Sequence, residues 1–495
     1  MTLHWVSAML LMYAVVNEKK LIRGLFVFGV LFHAVAFTWI PSTIEYFGGF
    51  PLPVSILLFA LFIAVSSVQF LCVGWVYKRV VASNILPSII CFPLAWSSVE
   101  FLFPRLFPWM FAHPQLPWNT FSSLAEVVGV SPLSALFLFF AGVIIESLSP
   151  IISKTPYQRR KLVPCYIAIG LVLGFGNSLD DKVSAPVEGE RSVAIALIQG
   201  NLEAKQKNDL KYFQTNMETY RRLSHEAIAD GAELLVWPEA VLPMWVPEDI
   251  SNFSQTQFDP QTGAEVPLLF GGMSYRRGSG ANVMEIEKNS KFFNTAFSKS
   301  ADGTLLGMYH KRILMPFGEY MPFAETFPAI QSLSPQTGSL SFGDILEPVK
   351  IEFKTGAAIP TMSAGILICY EDLVSSLSRA LVQKGAQVLI NLTNDAWYGD
   401  SPASFQHNML AAWRAVEVRR FFLRATNTGH TTVIDPRGTV VSELGIFEEG
   451  RIMAQVSPSD ELTAYVKWGD VASYVIIFLS VLIALRGLLK FRVNS

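Results

Sequence analysis

The sequence predicts a mixed α/β globular domain inserted between transmembrane α-helices, and three observations predict it. The chain of 495 residues is 51% apolar and only 16% charged, more hydrophobic than an ordinary soluble enzyme. Its apolar residues gather in long runs toward the two ends. Between Glu188 and Glu461 charges return, and short apolar runs alternate with polar turns and helical patterns. A formal net charge of -2, with no basic block interleaved with aromatics, excludes nucleic acid as a partner.

The runs set the membrane elements. Leu52 to Val76, Ile85 to Phe103, Phe121 to Leu148 and Leu162 to Leu179 carry few or no charges, and each is near the ~20 residues that cross ~30 Å of hydrocarbon as helix. Leu21 to Ile40 is a fifth span, with Arg23 placed to snorkel at its end, and Val471 to Leu489 is a sixth. Leu3 to Val16 is shorter and reads as a short span. No basic residue precedes it and no small-residue cleavage site follows, which argues against a signal peptide. The organisation expected is a polytopic helical domain over 1–187, a globular domain over 188–461, and a last helix with a short tail over 462–495. Lys19, Lys20 and Arg23, then Lys78 and Arg79, then Lys154, Arg159, Arg160 and Lys161 fall in alternate loops. These loops read as cytoplasmic, which puts the globular insert outside the cytoplasm. Arg486, Lys490 and Arg492 return the tail to the cytoplasm and close the count at seven spans with an external N-terminus.

Cysteine usage then isolates one residue. Cys72, Cys91 and Cys165 lie in or at the edge of spans, where a thiol is a small buried hydrophobe, and only Cys369 lies in the insert. In "GILICYED" (365–372) the run Ala364 to Ile368 reads as a buried strand and Leu373 to Gln383 as an amphipathic helix. The thiol therefore sits at a strand-to-helix turn, where the helix N-terminus favours thiolate. A nucleophilic cysteine needs a base and a stabiliser of the developing oxyanion. "AELLVWPEA" (232–240) reads as a buried strand that delivers Glu239 at its end, where partial desolvation tunes a carboxylate toward base chemistry. In "GMYHKRILMPFGEY" (307–320) a strand that follows the turn "ADGT" (301–304) leads into Lys311. Taken singly, a Glu after Pro or a Lys at a strand end is ordinary solvated surface.

Taken in order, Glu239 in "WPEA", Lys311 in "YHKRILMPFGEY" and Cys369 in "CYED" resemble the Glu-Lys-Cys triad of the nitrilase superfamily. With "PFGE", "NDAWYG" (394–399), "RATNTG" (424–429) and the flanking spans, nearly the whole chain is similar to the membrane-embedded branch of that superfamily, the apolipoprotein N-acyltransferases. The resemblance implies a nitrilase-like αββα sandwich inserted between the transmembrane helices; periodicity alone supports only mixed α and β. It implies Cys369 as nucleophile, Glu239 as base and Lys311 as the cation facing tetrahedral oxyanions. Glu319, Tyr370 and Glu371 belong to the active-site surroundings, and Glu319 taken alone also reads as a cap or turn residue. The implied reaction moves an acyl chain from a phospholipid donor, through a cysteine thioester, to the α-amino group of the S-diacylglyceryl cysteine of an apolipoprotein acceptor, with ping-pong kinetics. That family usually carries one more span ahead of the others, so either the start here is truncated or this branch lacks a helix.

Both substrates are lipid-anchored, so the site is expected to open to the bilayer. The stretch 313–329, with Leu314, Met315, Phe317, Met321, Phe323 and Phe327 among Pro316, Pro322 and Pro328, fits that role or that of a core-packed loop. No histidine spacing proposes a metal, and no cofactor is expected. "GGMSYRRG" (271–278) and "GSGAN" (278–282) read as flexible loops. Arg414, Glu417, Arg419 and Arg420 read as a solvated or paired helical face. A membrane-tethered amidase or nitrilase-type hydrolase of a small amide, and a non-catalytic lipoprotein-binding scaffold, are the alternatives. The first leaves the spans and the apolar loop unexplained, the second the triad.

Overall fold

The computed structural model describes residues 2–17, 20–153, 162–182, 191–202, 212–254, 256–260, 266–280, 285–286, 289–324, 326–327, 338–354 and 356–493. The chain divides into two units, one formed by Met1–Thr38, Ile56–Ser184 and Thr463–Ser495, the other by Trp39–Ser55 and Ala185–Leu462.

In the first unit the apolar runs become helices because a backbone in hydrocarbon must satisfy its own hydrogen bonds. They are α1 (Thr2–Asn17), α2 (Leu21–Ala36), α4 (Leu52–Ala82), α5 (Ser88–Leu102), the single turns α6 (Asn119–Ser122) and α7 (Ala125–Val128), α8 (Val130–Ser153) and α9 (Val163–Asp180), with Val471–Val493 near the C-terminus. Among the described residues three helices, Leu52–Ala82, Val130–Leu148 and Val163–Asp180, are long and apolar enough to cross a membrane. Thr2–Val15, Ser88–Leu102 and Val471–Gly487 are shorter apolar helices. Two expected spans are interrupted. The run Phe121–Leu148 breaks at Gly129, whose φ of +74° is left-handed and whose Cβ would lie 2.6 Å from the Tyr465 ring. The run Leu21–Ile40 ends at Ala36, and Pro41 opens the first turn of a separate helix, α3 (Ile40–Gly48). Serine side chains join neighbours where no water can: Ser98 donates to Ser480 at 2.9 Å. Lys19, Lys154, Arg159, Arg160 and Lys161 lie outside the described residues.

Unit two is built on strands that are apolar on both faces. In β1 (Val193–Gln199), Val193, Ile195 and Leu197 enter one core and Ala196 and Ile198 another, as the period of two in a strand requires. The following β2 (Leu234–Val236) divides likewise, Leu234 and Val236 from Leu235. With β3 (Leu242–Pro247), β4 (Leu268–Arg276), β5 (Lys291–Lys299), β6 (Leu305–His310) and the late strand β13 (Gly450–Val456) they form a seven-stranded sheet in the order β13-β1-β2-β4-β5-β6, β3 pairing with β4. A six-stranded sheet runs β12-β11-β10-β9-β8-β7, from β7 (Val349–Glu352), β8 (Thr361–Ile368), β9 (Val388–Thr393), β10 (Phe422–Thr426), β11 (Thr431–Ile434) and β12 (Val440–Leu444). The shared core between the sheets takes Ile195, Leu197 and Val236 from the first and Ile366, Ile368, Ile390 and Leu423 from the second. Outside the first sheet, α10 (Phe213–Ala229) buries Met217, Tyr220 and Leu223 with Leu235, Trp237 and Phe270. On the second, α11 (Ser375–Gln383) and α12 (Ala403–Val418) bury Leu377, Leu381, Ala411 and Trp413. The result is a nitrilase-type α/β sandwich.

Three details depart from the sequence expectation. "GGMSYR" is the buried strand β4 rather than a loop; of "GSGAN", residues 281 and 282 lie outside the described residues. Arg414 and Glu417 are paired at 2.9 Å, the second of the two readings, but they and Arg420 are buried rather than solvated, because this end of α12 packs into the unit. The connection after α2 also belongs to this unit: Trp39 donates to Gln406 at 3.1 Å and Thr43 to the Trp397 carbonyl at 3.3 Å.

Candidate active site

The site collects at the C-terminal ends of strands. Glu239 follows β2 by three residues, in a segment that runs along β4: Trp237 N–H donates to the Leu269 carbonyl at 2.8 Å, Gly271 N–H to Pro238 at 3.0 Å and Val241 N–H to Gly271 at 2.9 Å. That approach requires glycine. A Cβ on Gly271 would lie 2.6 Å from Glu239 Cα, the Ala240 nitrogen and the Pro238 oxygen. Trp237 anchors the segment by donating its indole N–H to Ser224 at 2.9 Å and packing on Tyr220.

Lys311 follows β6, its backbone N–H bonded to the Asn294 carbonyl on β5 at 2.8 Å. Its ammonium is almost completely buried, 2.8 Å from Glu319 Oε2 and 3.5 Å from Glu239 Oε1. Burial works against the lysine charge, but Glu319, Glu239 and Cys369 outweigh it and hold the ammonium well above its ordinary pKa. The Asn294 amide donates to Glu239 Oε1 at 2.7 Å and to Glu319 Oε1 at 3.0 Å, fixing the carboxylates on either side of the lysine. Glu319 also accepts from the Met315 N–H at 2.8 Å. It is thus a full member of the site, and it closes the loop that carries Phe317 onto the lysine.

Cys369 directly follows β8 and opens a short helical turn, Cys369–Leu373, in a left-handed conformation with φ +51°. Such a non-glycine backbone costs about 1–3 kcal/mol and persists only where its surroundings hold it. Asn391 Nδ2 donates to the Cys369 carbonyl at 3.1 Å, and Glu371 Oε2 accepts from the Ile368 N–H at 2.8 Å. The thiol is pushed up to about 12 by burial and by Glu239, against the pull of Lys311 and of Thr393. This corrects the expectation of a thiolate favoured by a helix N-terminus: the turn is only five residues long, and burial of the thiol, with Glu239 next, outweighs it. A group raised that far holds its proton as a thiol at neutral pH.

Glu371 points away from the thiol. Its carboxylate accepts from the Tyr309 hydroxyl at 3.0 Å and from the N–H groups of Arg312 at 2.6 Å and Ile313 at 3.0 Å. It therefore ties the segment after Lys311 to the turn of Cys369. Burial raises it to about 7, opposed by those backbone donors. Tyr370, partly exposed beside Cys369, is raised to about 12 by burial and by Tyr320. The structure thus brings Glu239, Lys311, Glu319 and Cys369 together, with Glu371 as a brace behind them.

Sequence reasoning missed Asn294, Asn391 and Thr393. Each is a polar residue inside a buried strand, in "FFNTAF" and "INLT", and that is the signal that could have found them.

The carbon-nitrogen hydrolase family profile matches residues 194–463, and that of the apolipoprotein N-acyltransferase N-terminal domain matches residues 1–143. The apolipoprotein N-acyltransferase of Geobacter metallireducens is 29% identical over 471 residues, covering 92% of this chain and 85% of that protein. The one of Vibrio cholerae is 27% identical over 470 residues, covering 93% and 87%. The chain belongs to the carbon-nitrogen hydrolase family, and along nine-tenths of its length it is similar to the apolipoprotein N-acyltransferases within it.

Proposed function

We propose that this membrane enzyme is an apolipoprotein N-acyltransferase that works through a thioester on Cys369. As Sγ attacks the sn-1 ester carbonyl of a phospholipid, Glu239 takes the thiol proton and the oxyanion develops toward the Lys311 ammonium. Collapse breaks the ester bond; the leaving alkoxide takes the proton from Glu239 and departs as lysophospholipid. The α-amino group of a diacylated apolipoprotein then attacks the thioester and gives a proton to Glu239, and Cys369 leaves and takes that proton back, restoring the thiol and the carboxylate. The observation that carries this reading is the buried lysine paired with two carboxylates, with the Cys369 sulfur acting on its charge: a cation fixed there before substrate binds needs no reorganisation when an oxyanion forms. Glu319 keeps the cation in place. The apolar helices and exposed phenylalanines favour lipid substrates over the small amide of a tethered hydrolase. The alternating basic loops favour a multi-pass protein of the bacterial inner membrane, with the domain 188–461 facing the periplasm.

Incubation with acyl-labelled phospholipid and no acceptor tests the mechanism. The expected result is label on the peptide containing Cys369, released by neutral hydroxylamine, and none in Cys369→Ala. Label that survives in Cys369→Ala, or sits on another residue, overturns the thioester.

A further inference from the structure

Below the nucleophile lies a cluster of buried charges that the steps above do not use. Arg424 Nη1 donates to Asp372 Oδ2 at 2.7 Å and Nη2 to Asp395 Oδ2 at 2.8 Å, and all three side chains are fully buried. His407 Nε2 lies 2.7 Å from Asp372 Oδ1, and its Nδ1 lies 2.9 Å from Arg424 Nη2. Ser404 donates to Asp395 at 2.7 Å.

The cluster reaches the thiol from two sides. Asp372 is in the turn that begins with Cys369, so the guanidinium that holds Asp372 also holds that turn. Asp395 accepts from the Thr393 hydroxyl at 3.4 Å, and Thr393 directly follows Leu392, the parallel-register partner of Ile368, so it stands next to Cys369 across the β8–β9 pair. Asn391 and Thr393, two apart on β9, share a face; the first holds the Cys369 carbonyl at 3.1 Å, and the hydroxyl of the second pulls the thiol pKa down. The Thr393 hydroxyl has one proton and two acceptors. While the sulfur is a thiol, the proton goes to Asp395 over a long, weak bond. When the sulfur is ionised, it is free to turn to the sulfur, since Asp395 keeps Arg424 and Ser404. The charged groups that act on the thiol are Glu239, Lys311, Asp395 and Arg424, and Tyr398 stands beside them.

We propose that Thr393 is a hydrogen-bond donor to the Cys369 sulfur as it attacks, and that Arg424, with Asp372, Asp395 and His407, is the positioning device that aims the turn and the hydroxyl at each other. The proposal rests on Cys369 being the nucleophile, and its test separates the two ideas by reading the thiol directly as well as the acyl transfer. Thr393→Val is close in shape and leaves every buried charge paired; Thr393→Ser restores the hydroxyl. Alkylation of the Cys369 peptide by iodoacetamide at pH 9, followed by mass spectrometry, is expected to slow about tenfold in the valine variant, equal to one pKa unit. Acyl-enzyme formation from phospholipid should slow by a similar factor with KM unchanged, and serine should recover both. Asp372→Asn, which weakens the grip of Arg424 on the turn without touching Thr393, should lower kcat for acylation about tenfold with KM held. Wild-type alkylation and acylation in Thr393→Val, a serine variant as impaired as valine, or an unaffected Asp372→Asn each overturns the proposal. A wild type that alkylates as expected but forms no acyl-enzyme overturns the nucleophile assignment instead.

Discussion

Cys369 shows how far a single residue can be read from its neighbours in sequence. Its place at a strand-to-helix turn was legible, because an apolar run ends abruptly at a lone cysteine followed by two carboxylates. The direction of its titration was not. That depends on burial, on Glu239 more than a hundred residues earlier and on Lys311, none of which local sequence supplies. A thiol raised to about 12 is protonated throughout the physiological range. Below that value the thiolate fraction grows tenfold per pH unit, so alkylation of the free enzyme at Cys369 is expected to rise steadily from pH 7 to 10 without levelling. A plateau near pH 8, measured peptide by peptide so that Cys72, Cys91 and Cys165 do not intrude, would show a thiolate already tuned for attack. Glu319 teaches the converse. Alone it reads as a turn residue, and so it is, accepting from Met315 N–H, yet the same carboxylate holds the buried Lys311 ammonium.

At the scale of elements, strands with a continuous apolar run were legible and those with glycine pairs were not. "GILI" and "LLVW" announce buried strands, whereas Gly271-Gly272 in "GGMSYRRG" reads as loop punctuation. In the fold these glycines lie inside β4, and Gly271 is there because the segment bearing Glu239 crosses against its backbone. Gly271→Ala is therefore expected to cost about 1–3 kcal/mol in stability, the range for overpacking a close contact. It should also displace Glu239 and lower acyl transfer more than stability alone accounts for. Gly272→Ala is the control, because its Cβ would meet Phe297 and Leu242 side chains at 3.2–3.3 Å rather than backbone. Denaturant unfolding in detergent, alongside the transfer assay, checks both; equal behaviour of the two variants would remove the reason given for Gly271. The spans show the same limit. Hydropathy finds the apolar runs, but the break at Gly129 depends on a tyrosine ring from the other end of the chain.

For the whole molecule, the basic loops and the apolar surface have to agree on where the chemistry happens. A single cysteine placed in the domain 188–461, in a variant lacking the others, is expected to react with an impermeant maleimide added outside intact cells, and one placed at 154–161 is not; the reverse pattern would invert the topology. On the catalytic unit itself, Phe317, Phe323 and Phe327 are 60%, 73% and 59% exposed, while Leu314 just before them and Met321 among them are buried. Residues 325, 328 and 329 lie outside the described residues. Phe317 and Phe323 also sit in left-handed backbone, with φ +66° and +65°, a conformation unfavourable for bulky side chains. The backbone is thus held at a conformational cost while the rings stay exposed, which a core-packed loop would not require. Phe342 and Ile345 extend the exposed apolar surface, Tyr320 packing edge-on to Phe342 at 5.2 Å. An apolar surface of this kind on a membrane enzyme fits lipid, and Glu319 links it directly to Lys311. Replacing Phe317 and Phe323 with serine is therefore expected to lower acyl transfer at least tenfold from vesicle-embedded phospholipid, the loss of about 1.4 kcal/mol of lipid contact. Transfer from a soluble short-chain ester, which needs only the triad, should change little. Equal losses on the two donors would make the loop a structural support of Glu319 and nothing more.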